Sequence, residues 1–253
     1  MKIAILKADT VLPEFAARYG EYPDMVIALF RQIDPNLEFV VHDVEREHYP
    51  EHTDGVDAWL ITGSKASVYE DQRWIHMLEA FVRRLHRERR VIIGICFGHQ
   101  LVAQALGGKT AKASAGWGVG VHTANWYHKP QWLDLDADQF SLLVSHQDQV
   151  TIPAEGSIVL GGSQFCPNAV CQVGSNVLTL QGHPEFTSAY SRELMDFRRE
   201  RLGEASYQQG IASLAKATHH RGIARSIIAF IARGGSDDFS ASPPPSPALP
   251  DNA

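Results

Sequence analysis

The sequence predicts an α/β fold: an open, mostly parallel central sheet with helices on both faces, plus a small antiparallel sheet within residues 109–175. Three observations predict it. Strand-length apolar runs alternate with segments of helical spacing through the first hundred residues. One run, Val91-Ile92-Ile93-Gly94-Ile95, is continuously apolar, as a central strand covered on both faces requires. After residue 108 the texture changes to short apolar runs divided by turn residues.

Taken in order, residues 2–6 form the first strand and the polar, aromatic stretch Asp9 to Pro23 a loop. Met25, Ile27, Ala28, Leu29 and Ile33 give helical spacing over 24–33. Leu37–Val44 and Ala58–Thr62 read as the second and third strands. Between Asp71 and Arg90, Trp74, Ile75, Leu78, Phe81, Val82 and Leu85 recur at three and four, which makes an amphipathic helix. Its basic run, Arg83, Arg84, Arg87, Arg89 and Arg90, reads as a solvated face. A helix from Gln100 to Leu106 follows the central strand. Turns at Gly116–Gly120, Pro153–Gly156, Gly161-Gly162 and Gly174-Ser175 divide the strand-rich part, and 187–233 is helical again. Residues 1–233 therefore read as one domain. Residues 234–253, rich in proline, serine and aspartate, read as a disordered tail.

An apolar content of 44% with 21% charged residues excludes a largely disordered chain, a collagen-like fibre and a coiled coil. A net charge of −6 argues against a nucleic-acid partner. No apolar stretch reaches the roughly 18 residues of a membrane span, and the N-terminus is too soon interrupted by charge for a signal peptide. Three cysteines make no disulfide framework, so a cytoplasmic protein is expected. Cys166 and Cys171 lack a second pair, and His42, His48 and His52 fit no standard spacing, so no metal is expected. With no P-loop and no dinucleotide fingerprint, no organic cofactor is expected either. His219-His220 reads as solvent-facing, and Trp117, Trp126 and Trp132 as packing residues or the border of a cleft. The Arg18–Tyr22 stretch follows the first strand, where a loop can close over a ligand.

Two segments carry chemistry. Gly94-Ile95-Cys96-Phe97-Gly98-His99-Gln100 lies between a buried strand and a helix. A nucleophile on such a sharp turn is exposed at the end of the sheet, and small residues two positions before and after make the turn sterically possible. The helix start favours a thiolate and offers unpaired N–H groups to a developing oxyanion. The second segment, Gln181-Gly182-His183-Pro184-Glu185-Phe186, follows the apolar run Val177–Leu180. A thiol nucleophile needs a base, and the base an orienting acceptor; in extended chain Glu185 points to the same side as His183.

Together, Gly94-x-Cys96-x-Gly98-x-Gln100 and His183-Pro184-Glu185 resemble the triad-type, class I glutamine amidotransferases, in the family's order and at about its usual interval. Ile61-Thr62-Gly63-Ser64 matches the position of the family's oxyanion loop, and Ser145-His146-Gln147-Asp148 its substrate-pocket strip. The resemblance spans roughly residues 2–230 and is closest to stand-alone proteins similar to the glutaminase domain of GMP synthetase; plant γ-glutamyl peptidases share Cys-Phe-Gly-His-Gln. It implies a flavodoxin-like fold and a Cys96, His183, Glu185 triad. It also implies oxyanion-hole N–H groups at Gly63 and Phe97, and a substrate pocket of Gln100, Ser145, His146, Gln147 and Asp148. The sequence departs from synthetase-linked members where Gly63-Ser64-Lys65 replaces Gly-Gly-Pro and where Leu-Gln-Gly-His precedes the histidine position.

The reading preferred from sequence is a glutaminase that hydrolyses the side-chain amide of glutamine through a γ-glutamyl thioester and releases ammonia to an acceptor, such as a synthetase partner. The alternative is a γ-glutamyl peptidase with the same triad. The third reading is an inactive binding module of the same fold.

Overall fold

The computed structural model describes residues 1–234; the expected tail lies, beyond Gly234, outside the described residues. The strands are β1 (Lys2–Lys7), β2 (Glu38–Asp43), β3 (Ala58–Ile61), β4 (Val91–Ile95), β5 (Lys109–Lys112), β6 (Gly118–Trp126), β7 (Gln139–His146), β8 (Asp148–Ile152), β9 (Ser157–Gly162), β10 (Val170–Val173) and β11 (Val177–Leu180). The helices are α1 (Pro13–Tyr19), α2 (Tyr22–Arg31), α3 (Arg73–Arg87), α4 (Phe97–Ala105), α5 (Ser188–Phe197), α6 (Arg199–Leu202), α7 (Glu204–Ser213) and α8 (His220–Ala232).

Nine strands form one sheet in the order β2-β1-β3-β4-β11-β10-β9-β6-β7. The half from β2 to β11 is parallel. Its central members β3, β4 and β11 are buried along their whole length, because helices cover both faces. Side-chain alternation splits β1 between two cores. Ile3 and Ile5 join Val26 and Phe30 of α2 and Ile227 and Phe230 of α8. Ala4 and Leu6 join the apolar stripe of α3 and Phe97 and Leu101 of α4. Leu78, fully buried in that stripe, would cost about 2–5 kcal/mol if cut to alanine.

The strand-rich part takes a more specific form than a separate sheet. β5 and β8 make a small antiparallel pair of their own. The strands β10, β9, β6 and β7 instead extend the central sheet in antiparallel fashion, starting from the β11–β10 hairpin. Two local expectations are corrected. The stretch 9–23 is not a loop: Pro13 and Pro23 each sit in the first turn of a helix, where a missing N–H costs nothing, and Glu21 and Asp24 close a capping box on α2. His219 is not simply solvent-facing. Its N–H donates to the Ser141 carbonyl (2.8 Å) and its Nδ1 accepts from the Ser141 N–H (3.0 Å), which satisfies part of the outer edge of β7.

Among the described residues no helix is long and apolar enough to cross a membrane. The arginines of α3 pair with Glu79 and Glu88 on a solvated face. Cys166 and Cys171 are free and buried, and burial pushes both thiols up to about 12. Trp126 and Trp132 pack against Phe140 and Phe230.

Candidate active site

β4 and β11 are parallel neighbours, with Leu180 in register with Ile95. The segments that leave their carboxyl ends, Cys96 from one and Gln181-Gly182-His183 from the other, therefore emerge side by side. Cys96 has φ 52° and ψ −101°, a conformation that ordinary residues avoid. The turn is held by the Cys96 N–H, which donates to the Leu180 carbonyl (2.9 Å), and by the absence of two side chains. A Cβ on Gly94 would lie 2.6 Å from the Gly98 oxygen, and one on Gly98 2.5 Å from the Ile61 oxygen. α4 begins at Phe97, three residues earlier than expected, so its unpaired N–H groups sit directly at the thiol.

His183 is anchored to the outer edge of β7, its N–H donating to the Leu143 carbonyl (2.8 Å). The ring stacks on Phe186 with centroids 3.9 Å apart. Nδ1 lies 2.7 Å from Glu185 Oε1, with both side chains almost wholly buried. Burial pushes the imidazole pKa down, but the charge of Glu185 and the adjacent Cys96 outweigh it and raise it to about 10. His183 and Glu185 are thus a buried, hydrogen-bonded pair with the Cys96 thiol beside them, an arrangement suited to passing a thiol proton to a base steadied by a carboxylate. Gly63 lies against it: a Cβ there would meet His183 Cε1 at 2.9 Å and Cys96 Cβ at 3.7 Å. A side chain at 63 would displace the imidazole.

Cys96 opens into a cleft of about 60 Å³ that Gln100, Ser145, His146, Gln147 and Asp148 also line. The structure therefore brings the whole strip beside the thiol. Gln100 spends both amide hydrogens inside the protein, on the Asp148 carbonyl (2.8 Å) and Gln181 Oε1 (3.0 Å). His146 is held neutral: burial lowers it to about 3, although its Nδ1 is hydrogen-bonded to the Asp148 carbonyl. The Asp148 carboxylate accepts from Ser67 Oγ (2.5 Å) and the Tyr69 hydroxyl (3.0 Å). Among the described residues no group of three or more His, Cys, Asp or Glu is set to hold a metal ion.

The family model for class-I glutamine amidotransferases matches residues 18–198. The chain belongs to that family. A glutamine amidotransferase-like protein of Schizosaccharomyces pombe is 30% identical over 90% of this chain and 98% of its own length. Gamma-glutamyl peptidase 2 of Arabidopsis thaliana is 27% identical over 70% of this chain and 73% of its own. GMP synthase of Streptococcus pneumoniae is 29% identical over 70% of this chain and 34% of that enzyme. The fold is that of a glutamine amidotransferase from Thermotoga maritima, with a TM-score of 0.72, 14% identity, and 93% and 97% of the two chains covered.

Sequence reasoning missed several residues around this amidotransferase-type cleft. Asp9, buried just past β1, accepts from the Lys65 N–H (2.8 Å) and binds its ammonium, fixing the loop after β3. Its place after an apolar strand, at the sheet end where ligands bind, was the available clue. Lys65, Lys112, Arg198 and Arg201 also line the cleft. The two arginines were hidden in the mixed-charge run Arg198-Arg199-Glu200-Arg201. Trp117 borders the cleft beneath Arg201, whose guanidinium carbon lies 5.0 Å from its ring centroid. None of Arg18–Tyr22 lines it; Arg18 and Tyr19 bind Glu193 on α5 instead.

Proposed function

We propose that the protein hydrolyses γ-glutamyl amide bonds through a thioester on Cys96. The observation that carries this reading is that Cys96, in the lining of a charged cleft, lies beside the buried, hydrogen-bonded pair of His183 and Glu185. Cys96 attacks the γ-carbonyl carbon, and His183 takes the thiol proton and then delivers a proton to the departing nitrogen. Glu185 orients the ring and stabilises its charged form. The N–H of Phe97 and one from the Gly63–Ser64 turn receive the oxyanion, each worth about 3 kcal/mol of barrier. Water then attacks the thioester and releases glutamate.

The lining supports a zwitterionic substrate head. Asp148 suits the α-ammonium, and a cation of the same lining, such as Lys112, suits the α-carboxylate. Ser145 and Gln147 contribute polar contacts, while His146 and Gln100 shape the strip. Three unpaired cysteines suit a reducing compartment such as the cytoplasm.

Glutamine is the smallest such substrate, and with it the product is ammonia for an acceptor or a synthetase partner. The second reading, a γ-glutamyl peptidase, is supported by the larger cavity adjoining the cleft and by the A. thaliana relatives of that name. The test follows ammonia, glutamate and released amine from glutamine and from a γ-glutamyl anilide, with Cys96→Ala as control. Turnover lost in Cys96→Ala, with an acyl adduct trapped at Cys96 in the wild type, is the expected result. Turnover that survives Cys96→Ala, or silence on both compounds without any adduct, refutes the proposal.

A further inference from the structure

Next to the Cys96 cleft lies a second, larger cavity of about 350 Å³. Lys65, Arg198 and Arg201 line both and form the partition between them. Ammonia has no use for such a space. Its far wall is apolar and aromatic, built from Leu12, Tyr22, Tyr190, Leu194 and Phe197. Phe197 is 58% exposed, an apolar surface left open to whatever enters.

The partition carries the recognition chemistry. Lys65 is already neutralised by buried Asp9. Arg198 donates to Ser145 Oγ (3.1 Å), and Arg201 lies over Trp117. Glu200 also lines the cavity, yet among the described residues neither guanidinium has a carboxylate within ion-pair distance. Two uncompensated guanidiniums exceed what the single α-carboxylate of a γ-glutamyl head requires.

We propose, resting on the γ-glutamyl reading above, that this cavity is the leaving-group subsite and takes an amino acid with a free carboxylate and an apolar side chain, so that the substrates are γ-glutamyl dipeptides ending in such a residue. The guanidiniums bind its carboxylate, and the wall around Phe197 covers its side chain. In the step itself the Cys96 sulfur bonds to the γ-carbonyl carbon while the C–N bond breaks. The amine leaves with a proton delivered by His183. Water then adds to the thioester, the S–C bond breaks, and glutamate departs as the thiol regains its proton. The sum is dipeptide plus water giving glutamate plus amino acid.

The test compares kcat/KM for glutamine, γ-Glu-Phe, γ-Glu-Phe-amide and γ-Glu-Gly. Wild type is expected to prefer γ-Glu-Phe over its amide by about tenfold or more, the usual worth of one charge-assisted contact. Arg201→Met should erase the difference between acid and amide. Phe197→Ala should erase the preference of Phe over Gly without changing glutamine hydrolysis. Acylation of Cys96 by all four compounds, with acid and amide equal and Phe197→Ala indifferent, would overturn the subsite and leave the triad chemistry standing. No acylation by any of them would overturn both.

Discussion

Substituting Gly94 tests whether the geometry of the turn, rather than the presence of Cys96 and His183, controls the rate. A methyl group at position 94 would sit 2.6 Å from the Gly98 oxygen, 2.7 Å from its carbonyl carbon and 2.9 Å from the His99 nitrogen. All three are backbone atoms of the turn and of the first residues of α4, so none can swing aside. Ordinary contact begins at 3.4 Å, and the shortfall is about 0.8 Å. β4 is pinned between β3 and β11, so most of that displacement must fall on Cys96 and the Phe97 N–H. A misplacement approaching 1 Å costs on the order of 10²-fold in rate, while overpacking of this kind costs about 1–3 kcal/mol of stability. Gly94→Ala should therefore remain folded, with a lower urea midpoint, and lose about two orders of magnitude in kcat/KM on a γ-glutamyl anilide. Tryptophan fluorescence against urea and steady-state release of the anilide measure the two effects. A folded Gly94→Ala within about threefold of wild-type kcat/KM would refute the argument that this turn sets the reacting geometry.

Glu185→Gln removes the carboxylate that holds His183 up, so the alkaline limb of the pH–rate profile should move from near 10 toward neutrality as kcat falls by about 10²-fold or more; an unmoved limb refutes the assignment of Glu185. Asp148→Asn should raise KM for glutamine by about tenfold or more and change kcat little, since the ammonium contact is made before and during reaction alike; equal loss in kcat would contradict the binding role. Buried neutral histidines weaken the fold in acid, His99 and His146 most, with His42, His122 and His220 depressed in the same direction. Burial depresses His99 to about 4 and His146 to about 3, so their contribution is intact above the unfolded value and is lost as pH falls below about 6.5. Each should cost about 2 kcal/mol by pH 5, and His146→Gln should lose about that much of the pH dependence in urea melts. His183 works in the opposite sense: its contribution is present below the unfolded value and fades as pH rises through about 10.

The parallel half of the fold was legible because its strands are buried on both faces and so read as unbroken apolar runs, β4 above all. The turn at Cys96 was legible for a related reason: glycines at 94 and 98 are steric necessities and leave a pattern. The first helix and the start of the second were not, because Pro13 and Pro23 look like breakers until their place in the first turn is known. Whether the later strands form their own sheet or extend the first depends on the long-range pairing of β11 with β4, which carries the β10–β11 hairpin into the central sheet and which no local pattern encodes. Gln100, Ser145 and Asp148 were traceable to one strip through resemblance. Arg198 and Arg201 were not, since a guanidinium aimed at a cleft and one aimed at water look alike in sequence.

That difference follows where the two kinds of residue sit. Cys96, His183 and Glu185 follow the ends of two adjacent strands buried at the middle of the sheet, where a displacement in one is felt by β3, β4, β11 and both cores. Their spacing has little freedom. The charged rim comes from outside that frame: Lys112 from the end of β5, and Arg198 and Arg201 from the short α6 and its entry. The family match ends at residue 198, so Arg201 and the helix that carries it lie beyond it. A substitution on this rim alters which anion is held without disturbing the turn or the His183–Glu185 pair. Under the proposed reading the bond-breaking step and the choice of leaving group are physically separable, and a change of leaving group would come through residues 198–201 and leave Cys96, His183 and Glu185 unchanged.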